Sequence, residues 1–202
     1  GLMELEYEGF YQSALFVSAK AGEYGAKKKY ALLSERGMLK IRGFETVRRN
    51  WSPIAKEAQE KVSNIVLREK DTAKALKYIQ DIISGLRERT IPIGKVIMST
   101  QLQKPVEAYE NVGPHVSVAK RMAERGIDIS PGTTIRFVVT AGKGIIRDRA
   151  KIPDEVQNNE YDAEYYINNQ VIPSVERIFD VLGIKIEDLA SEHRQSTLGK
   201  FF

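Results

Sequence analysis

The chain has 202 residues, 42% hydrophobic and 29% charged, with 31 Lys and Arg against 27 Asp and Glu for a formal charge of +4. That length allows one medium domain or two small ones with a proper core, and the modestly basic balance permits a nucleic-acid partner. The absence of cysteine excludes a disulfide framework and a thiolate metal site. Two histidines, His115 and His193, leave little for a histidine-built zinc centre, and no apolar run approaches the ~20 residues of a membrane span.

In chain order, residues 4–11 alternate carboxylates with apolar residues and read as a strand with Glu4, Glu6 and Glu8 on one face. Like charges in a row on a sheet face are unfavourable without a cation. Two readings follow: an exposed edge strand pairing with lysines, or carboxylates, Glu6 and Glu8, that border a divalent metal. Residues 14–17 read as a short buried strand and Gly22–Gly25 as a turn. A strand then carries Lys27, Lys28 and Lys29 into Tyr30 and Leu33, and residues 34–37 turn it into a second strand, Met38–Arg42. Arg48, Arg49 and Trp51 follow. Three successive lysines repel one another unless a polyanion offsets them, so this hairpin is either a solvated charged surface or a grip on a phosphate backbone.

Ser52-Pro53 reads as a helix start, the hydroxyl capping free amides, and Ile54, Ala58, Val62 and Ile65 carry the helix to about Arg68. Asp71 caps a second helix with Ala75, Ile79, Ile82 and Leu86 on its apolar face. A short extended piece is expected at Val96–Met98. Gly113-Pro114 opens a third helix with Val118, Met122 and Ala123 inward, Lys120, Arg121 and Arg125 on other faces, and Gly126 at its end. His115 falls in its first turn, either as a packed or capping residue or as a contact to a bound group. Residues 134–139 form a strand, followed by a glycine-rich basic hairpin with Lys143, Arg147 and Arg149. Its glycines imitate a phosphate loop only weakly, since no Gly-Lys-Ser/Thr opens a helix. Asp162 caps a last long helix with Ile167, Val171, Val175, Ile178 and Leu182 inward and Gly183 at its end. Pro173 should kink that helix, and Tyr161, Tyr165 and Tyr166, beside its apolar face, read as packing rather than base stacking.

Lys-Lys-Lys-Tyr-Ala, a turn, then Arg-Gly-x-Glu-x-Val-Arg-Arg-x-Trp-Ser running into a helix resembles the junction of palm and thumb in archaeal family B DNA polymerases. The resemblance covers nearly the whole chain, from Leu-Glu-Tyr-Glu-Gly-Phe-Tyr at 5–11 through Gly-Pro-His-Val at 113–116 to Tyr-Asp-Ala-Glu-Tyr-Tyr-Ile at 161–167. It implies an α+β fold, a small antiparallel palm-derived sheet followed by a mainly helical thumb with a basic hairpin. The implied division is 1–50 for the end of the palm, 51–190 for the thumb and 191–202 for a tail. In that family the lysine–tyrosine strand grips primer-template duplex, the helix start at His115 approaches the DNA backbone, and the acidic positions matching Glu6 and Glu8 lie near metal and triphosphate. The implied DNA-binding set is Lys27, Lys28, Lys29, Tyr30, Arg42, Arg48, Arg49, His115, Lys120, Lys143, Arg147 and Arg149. The chain departs from the family pattern in the extra residues 18–26, which lengthen the hairpin tip.

The chain ends Gln195-x-x-Leu198-x-x-Phe201-Phe202, which looks like the peptide by which replication proteins dock on the sliding clamp PCNA. One turn gathers Leu198, Phe201 and Phe202 into an apolar plug while Gln195 hydrogen-bonds in its own pocket. The alternative is a plug folded back on its own domain. The paired catalytic aspartates of the resembled family, one within Asp-Thr-Asp, have no counterpart here, and its finger helix and exonuclease motifs are missing. The resemblance therefore implies a DNA-directed DNA polymerase, a nucleotidyltransferase using Mg2+, only as part of a complete enzyme, with the catalytic residues on another chain or segment. The start, Gly-Leu-Met in mid-strand style, points to a piece of something longer or the small subunit of a split polymerase. Expected partners are primer-template DNA, a large catalytic chain and the clamp, with no membrane, in a cytoplasmic, nucleoid-associated setting. A stand-alone, non-catalytic DNA- and clamp-binding module is the alternative.

Overall fold

The computed structural model describes residues 9–18, 25–42, 51–157 and 159–186. The fold is α+β: two small antiparallel sheets around a helical core. Strands β1 (Tyr11–Ser18), β2 (Gly25–Ser34) and β3 (Leu39–Arg42) make the first sheet in chain order. Leu15 pairs with Ala31, and alternation buries Leu15, Ala31 and Leu33 on one face. On the other face Phe16, Tyr30 and Arg42 are aligned across the three strands, and Phe16 is 63% exposed. The expectation of a buried strand at 14–17 is corrected accordingly. Only one sheet face is covered, so Leu15 is buried while Ala14 and Phe16 remain outside. Ser34 closes the β2–β3 turn: its N–H donates to Met38 O at 2.9 Å, and its carbonyl and hydroxyl oxygens accept from Gly37 N–H and Met38 N–H, each at 2.9 Å. The expected acidic strand at 4–8 and the tip at 19–24 lie outside the described residues.

Helix α1 (Pro53–Asn64) continues as a π turn, Ile65–Glu69, and α2 (Thr72–Arg87) follows. Both apolar stripes are buried as their spacing requires: Ile54, Ala58, Val62 and Ile65 on the first, Ala75, Ile79, Ile82 and Leu86 on the second. Burying each larger aliphatic chain contributes roughly 1.5–3 kcal/mol, which outweighs the weak local preference of β-branched residues for strand. Asp71 caps α2, its Oδ1 accepting from Lys74 N–H at 2.8 Å. Ser52 is a correction, because its side chain makes no cap hydrogen bond. Instead its backbone N–H donates to Gln170 Oε1 at 2.9 Å, and its carbonyl accepts from Ala55 N–H at 3.1 Å. Tertiary contact, rather than a local cap, therefore fixes the start of α1.

The second sheet consists of β4 (Met98–Gln101), β5 (Thr134–Val139) and β6 (Ala150–Lys151), with β5 in the centre and both pairings antiparallel. The extended piece expected at 96–98 starts later. Pro92 opens a 3₁₀ turn, Ile93–Lys95, and Val96 N–H closes it on Ile93 O at 3.0 Å. Helix α3 (Pro114–Glu124) lies against β5 and β6 and buries Val116, Val118 and Ala119. Met122 is half-buried as expected, but Ala123 is exposed; Val116 and Ala119 complete the covered face instead. Within the β5–β6 connection a single helical turn, α4 (Ile146–Arg149), packs on α3.

The last helix runs as α5 (Ala163–Tyr166), a π turn at Ile167–Val171, and α6 (Ile172–Val181). The disturbance expected at Pro173 takes the form of this π turn just upstream. Ile172 N–H reaches back five residues to Ile167 O, and the ring at 173 needs no acceptor because it has no N–H. Asp162 Oδ1 caps the start by accepting from Tyr165 N–H at 3.0 Å. Bonds from Gly183 N–H to Asp180 O and from Ile184 N–H to Phe179 O, both 3.0 Å, close the end. Helix α1 packs along this helix, with Gln59 Nε2 donating to Ser174 O at 2.6 Å in the buried seam. The three tyrosines pack as expected. Tyr161 and Tyr166 are fully buried edge to face, and Tyr166 Oη accepts from Val139 N–H at 3.0 Å.

Candidate nucleic-acid interface

The expected basic residues fall into two groups along the chain. The first sits on the β1–β3 sheet. Lys27, Lys28 and Lys29 occupy the first half of β2, and their side chains lie outside the described part of the molecule. Tyr30, just beyond them, is half-buried with its ring 6.3 Å from that of Phe16, centroid to centroid. Across β2–β3 it is paired with Arg42, which is exposed and forms no ion pair with a described residue. Arg48 and Arg49, Glu6 and Glu8, and the tail residues Gln195, Leu198, Phe201 and Phe202 are all outside the described residues.

The second group is built on α3 and the β5–β6 hairpin. After β5, Thr140 N–H and Oγ1 both reach Arg149 O, at 2.9 and 2.8 Å, which ties the two ends of the loop together. Between them Gly142 and Gly144 have φ of +141° and +103°. A side chain is strained in either conformation, so glycine on both sides of Lys143 is a backbone requirement of the tip. Lys143 is exposed and has no ion-pair partner among the described residues. Arg147 is also exposed, and its Nε forms an ion pair with Oδ1 of its neighbour Asp148 at 3.7 Å, an exposed contact of little stabilising value. Arg149 is different. Its Nη1 donates to Thr140 O at 2.8 Å and to Asp162 Oδ2, and both charged side chains are largely covered. Arg149 therefore holds the hairpin to the cap of α5 and presents no free charge to solvent.

His115 lies in the first turn of α3, half-buried, with its ring edge-on to Tyr109 at 6.0 Å. Burial holds its pKa below the ordinary imidazole value of 6.5, so near neutral pH it is uncharged. Lys104 Nζ stands 5.0 Å over the other participant, Tyr109, and Tyr109 Oη accepts from Gln103 N–H at 2.9 Å. Lys120 is half-buried on α3. The structural cations of this region escaped the sequence reading. Arg121 donates through Nη2 to Ala150 O and through Nη1 to Ser117 Oγ at 3.2 Å, fastening α3 to β6. Arg125 binds Glu155 and holds that carboxyl below its usual range. The Ser117–Arg121 spacing of four was legible; the acceptor on a strand 29 positions away was not.

These elements amount to a helical core carrying two basic hairpins. Among the described residues no group of three or more His, Cys, Asp or Glu side chains converges to hold a metal ion, so they do not fit a two-metal centre and no catalytic step is assigned to them. No helix among them is long and apolar enough to cross a membrane.

The profile of DNA polymerase family B matches residues 2–182, and the chain belongs to that family. A DNA polymerase of Thermococcus hydrothermalis is 45% identical over 202 residues, covering 98% of this chain and 12% of that protein. One from Thermococcus sp. (strain 9oN-7) is 44% identical over 191 residues, covering 94% of this chain and 24% of its own length. The solved structure of the family B DNA polymerase from the hyperthermophilic archaeon Pyrobaculum calidifontis superposes with a TM-score of 0.73 at 31% identity, over 89% of this chain and 23% of that one. The chain thus spans between 12% and 24% of the length of these relatives.

Proposed function

We propose that this chain is the DNA-gripping part of a family B DNA polymerase acting in replication: the end of the palm over residues 1–50, the thumb over 51–190, and a clamp-binding tail over 191–202. It holds primer-template duplex without reading its sequence, through phosphate contacts from Lys27, Lys28, Lys29, Tyr30, Arg42, Arg48 and Arg49 on one side and His115, Lys120, Lys143 and Arg147 on the other. Arg149 supports the second group by holding its loop. The carboxylates that bind divalent metal and join nucleotides belong to another segment or a large partner chain, with Glu6 and Glu8 at the border of that site. Gln195, Leu198, Phe201 and Phe202 tether the assembly to the sliding clamp. The observation that carries this reading is the family match across residues 2–182 of a chain whose exposed Arg42 and Lys143 have no ion-pair partner among the described residues.

The test is primer extension with magnesium and all four nucleotides, comparing this chain alone, the catalytic polymerase chain from the same genome alone, and the two mixed. Synthesis only, or far more strongly, in the mixture is the expected result. No gain on mixing, with this chain still binding duplex and clamp, would establish a stand-alone binding module instead.

A further inference from the structure

Where the last residues of β2 meet the π turn Ile65–Glu69, the molecule forms an open cavity of about 440 Å3. Ser13 pairs with Leu33 and follows the same alternation as Leu15, so it stands on the inner face of the sheet, a hydroxyl where its neighbours on that face are apolar. Leu33 and Leu67, both buried, form the apolar part of the wall, and Gln12, Arg68 and Lys70 complete it. Arg68 is fastened at one point: its Nη2 donates to Gly37 O at the turn that a φ of +74° makes, and its other donors have no acceptor among the described residues. Lys70 adopts a φ of +55°, a conformation that favours glycine, and has no ion-pair partner among the described residues. The acids beside it are engaged elsewhere, Glu69 with Lys74 and Asp71 at the cap of α2. Two cations, an amide and a hydroxyl thus share a cavity with two leucines, and no acid lines it.

We propose that this cavity binds a phosphate monoester, a small molecule that carries a phosphate dianion on an organic body. Charge selects the head group: two cations in a wall without an acid match a dianion better than the single charge of a carboxylate. Donor number points the same way. The terminal phosphate oxygens can accept from the Arg68 guanidinium, the Lys70 ammonium and the Ser13 hydroxyl together. Gln12 Nε2 already donates to Ser34 O at 3.3 Å and keeps a second N–H for the ligand. The leucines select the rest, since Leu33 and Leu67 offer nothing to phosphate and give an organic body its apolar contact. Cavities that hold small molecules measure roughly 300–1,000 Å3, so this one has room for a ligand the size of a nucleoside monophosphate. The site shares no residue with the duplex-contacting set, and the proposal is independent of the function above.

Isothermal titration calorimetry on the full chain, at one fixed ionic strength, tests the site with three probes: a nucleoside monophosphate, inorganic phosphate and the unphosphorylated nucleoside. The monophosphate should bind once per chain, inorganic phosphate about fivefold more weakly for want of contact with the leucines, and the nucleoside not detectably. Lys70→Gly removes a cation where the backbone already suits glycine, so the fold is kept, and it should weaken monophosphate binding about tenfold. Arg68→Gln should weaken it at least as much. Lys77→Gln removes an exposed charge of α2 that is not part of the cavity wall and should leave binding unchanged. Equal binding of inorganic phosphate would overturn the monoester assignment, because the leucines would then contribute nothing. Parental binding by Lys70→Gly, or an equal loss in Lys77→Gln, would overturn the site, since binding would then lie elsewhere or follow net charge alone. A parent chain that binds none of the probes would overturn it as well, whatever its affinity for duplex.

Discussion

At the scale of single residues, the sequence pattern counted Arg149 with the basic surface, whereas its contacts make it an anchor. Arg149→Ala would leave Asp162 without its cation and the Thr140 carbonyl without a donor in a largely covered site. It should lower stability by about 2 kcal/mol in denaturant unfolding, whereas exposed Lys143→Ala should stay within about 0.5 kcal/mol of the parent. His115 supplies a pH signature. Its folded pKa lies below the ordinary value, and the cause is burial. As pH falls past the ordinary value the unfolded chain takes up the proton first, so stability falls with pH in that window and levels off below the folded pKa. His115→Phe keeps an aromatic ring beside Tyr109 and removes the titration, so its thermal midpoint should vary less between pH 7 and pH 5 than that of the parent.

Among the elements, the pairing of α1 with the long helix ending in α6 rests on polar contacts that periodicity cannot reveal. Gln170 reaches from the π turn to the buried Ser52 N–H, and Gln59 from α1 to Ser174 O. Gln170→Ala should cost about 1–3 kcal/mol, the penalty of a buried amide without an acceptor, read as a lower denaturant midpoint with an unchanged slope. A loss no larger than that of an exposed alanine substitution would mean that water or another acceptor replaces it. The apolar stripes of α1 and α2 were legible in full, because side chains spaced at three and four residues share one helix face whatever lies beneath it. The start of β4 was not, because it is set by where pairing with β5 begins, Met98 against Phe137, a partner distant in the chain.

For the whole molecule, the proposed function depends on two attachments, one to duplex and one to the clamp. Lys28→Ala with Lys29→Ala should weaken primer-template binding and flatten its salt dependence; an unaltered slope would take those lysines out of the contact. Phe201→Ala with Phe202→Ala should abolish stimulation of synthesis by the clamp and spare distributive synthesis by the assembled enzyme. Stimulation that survives would leave the tail as a plug on its own domain. The two effects are separable, because the two pairs lie far apart in the sequence.

The sequence by itself determined the long helices, the buried faces of α1 and α2, the caps at Asp71 and Asp162, the closures at Gly126 and Gly183, and the family. All of these follow from short-range spacing, from residue-specific backbone preference, or from a long run of similarity, and none needs a partner distant in the chain. Only the tertiary structure decided which cations are free. Lys143, Arg147 and Arg149 stand within seven residues of one another with the same charge. Arg149 alone meets Asp162 and Thr140, since the antiparallel return of β6 along β5 brings it to the start of the last helix. The same return leaves Ile145 and Ile146 outside the core, where composition would have buried them.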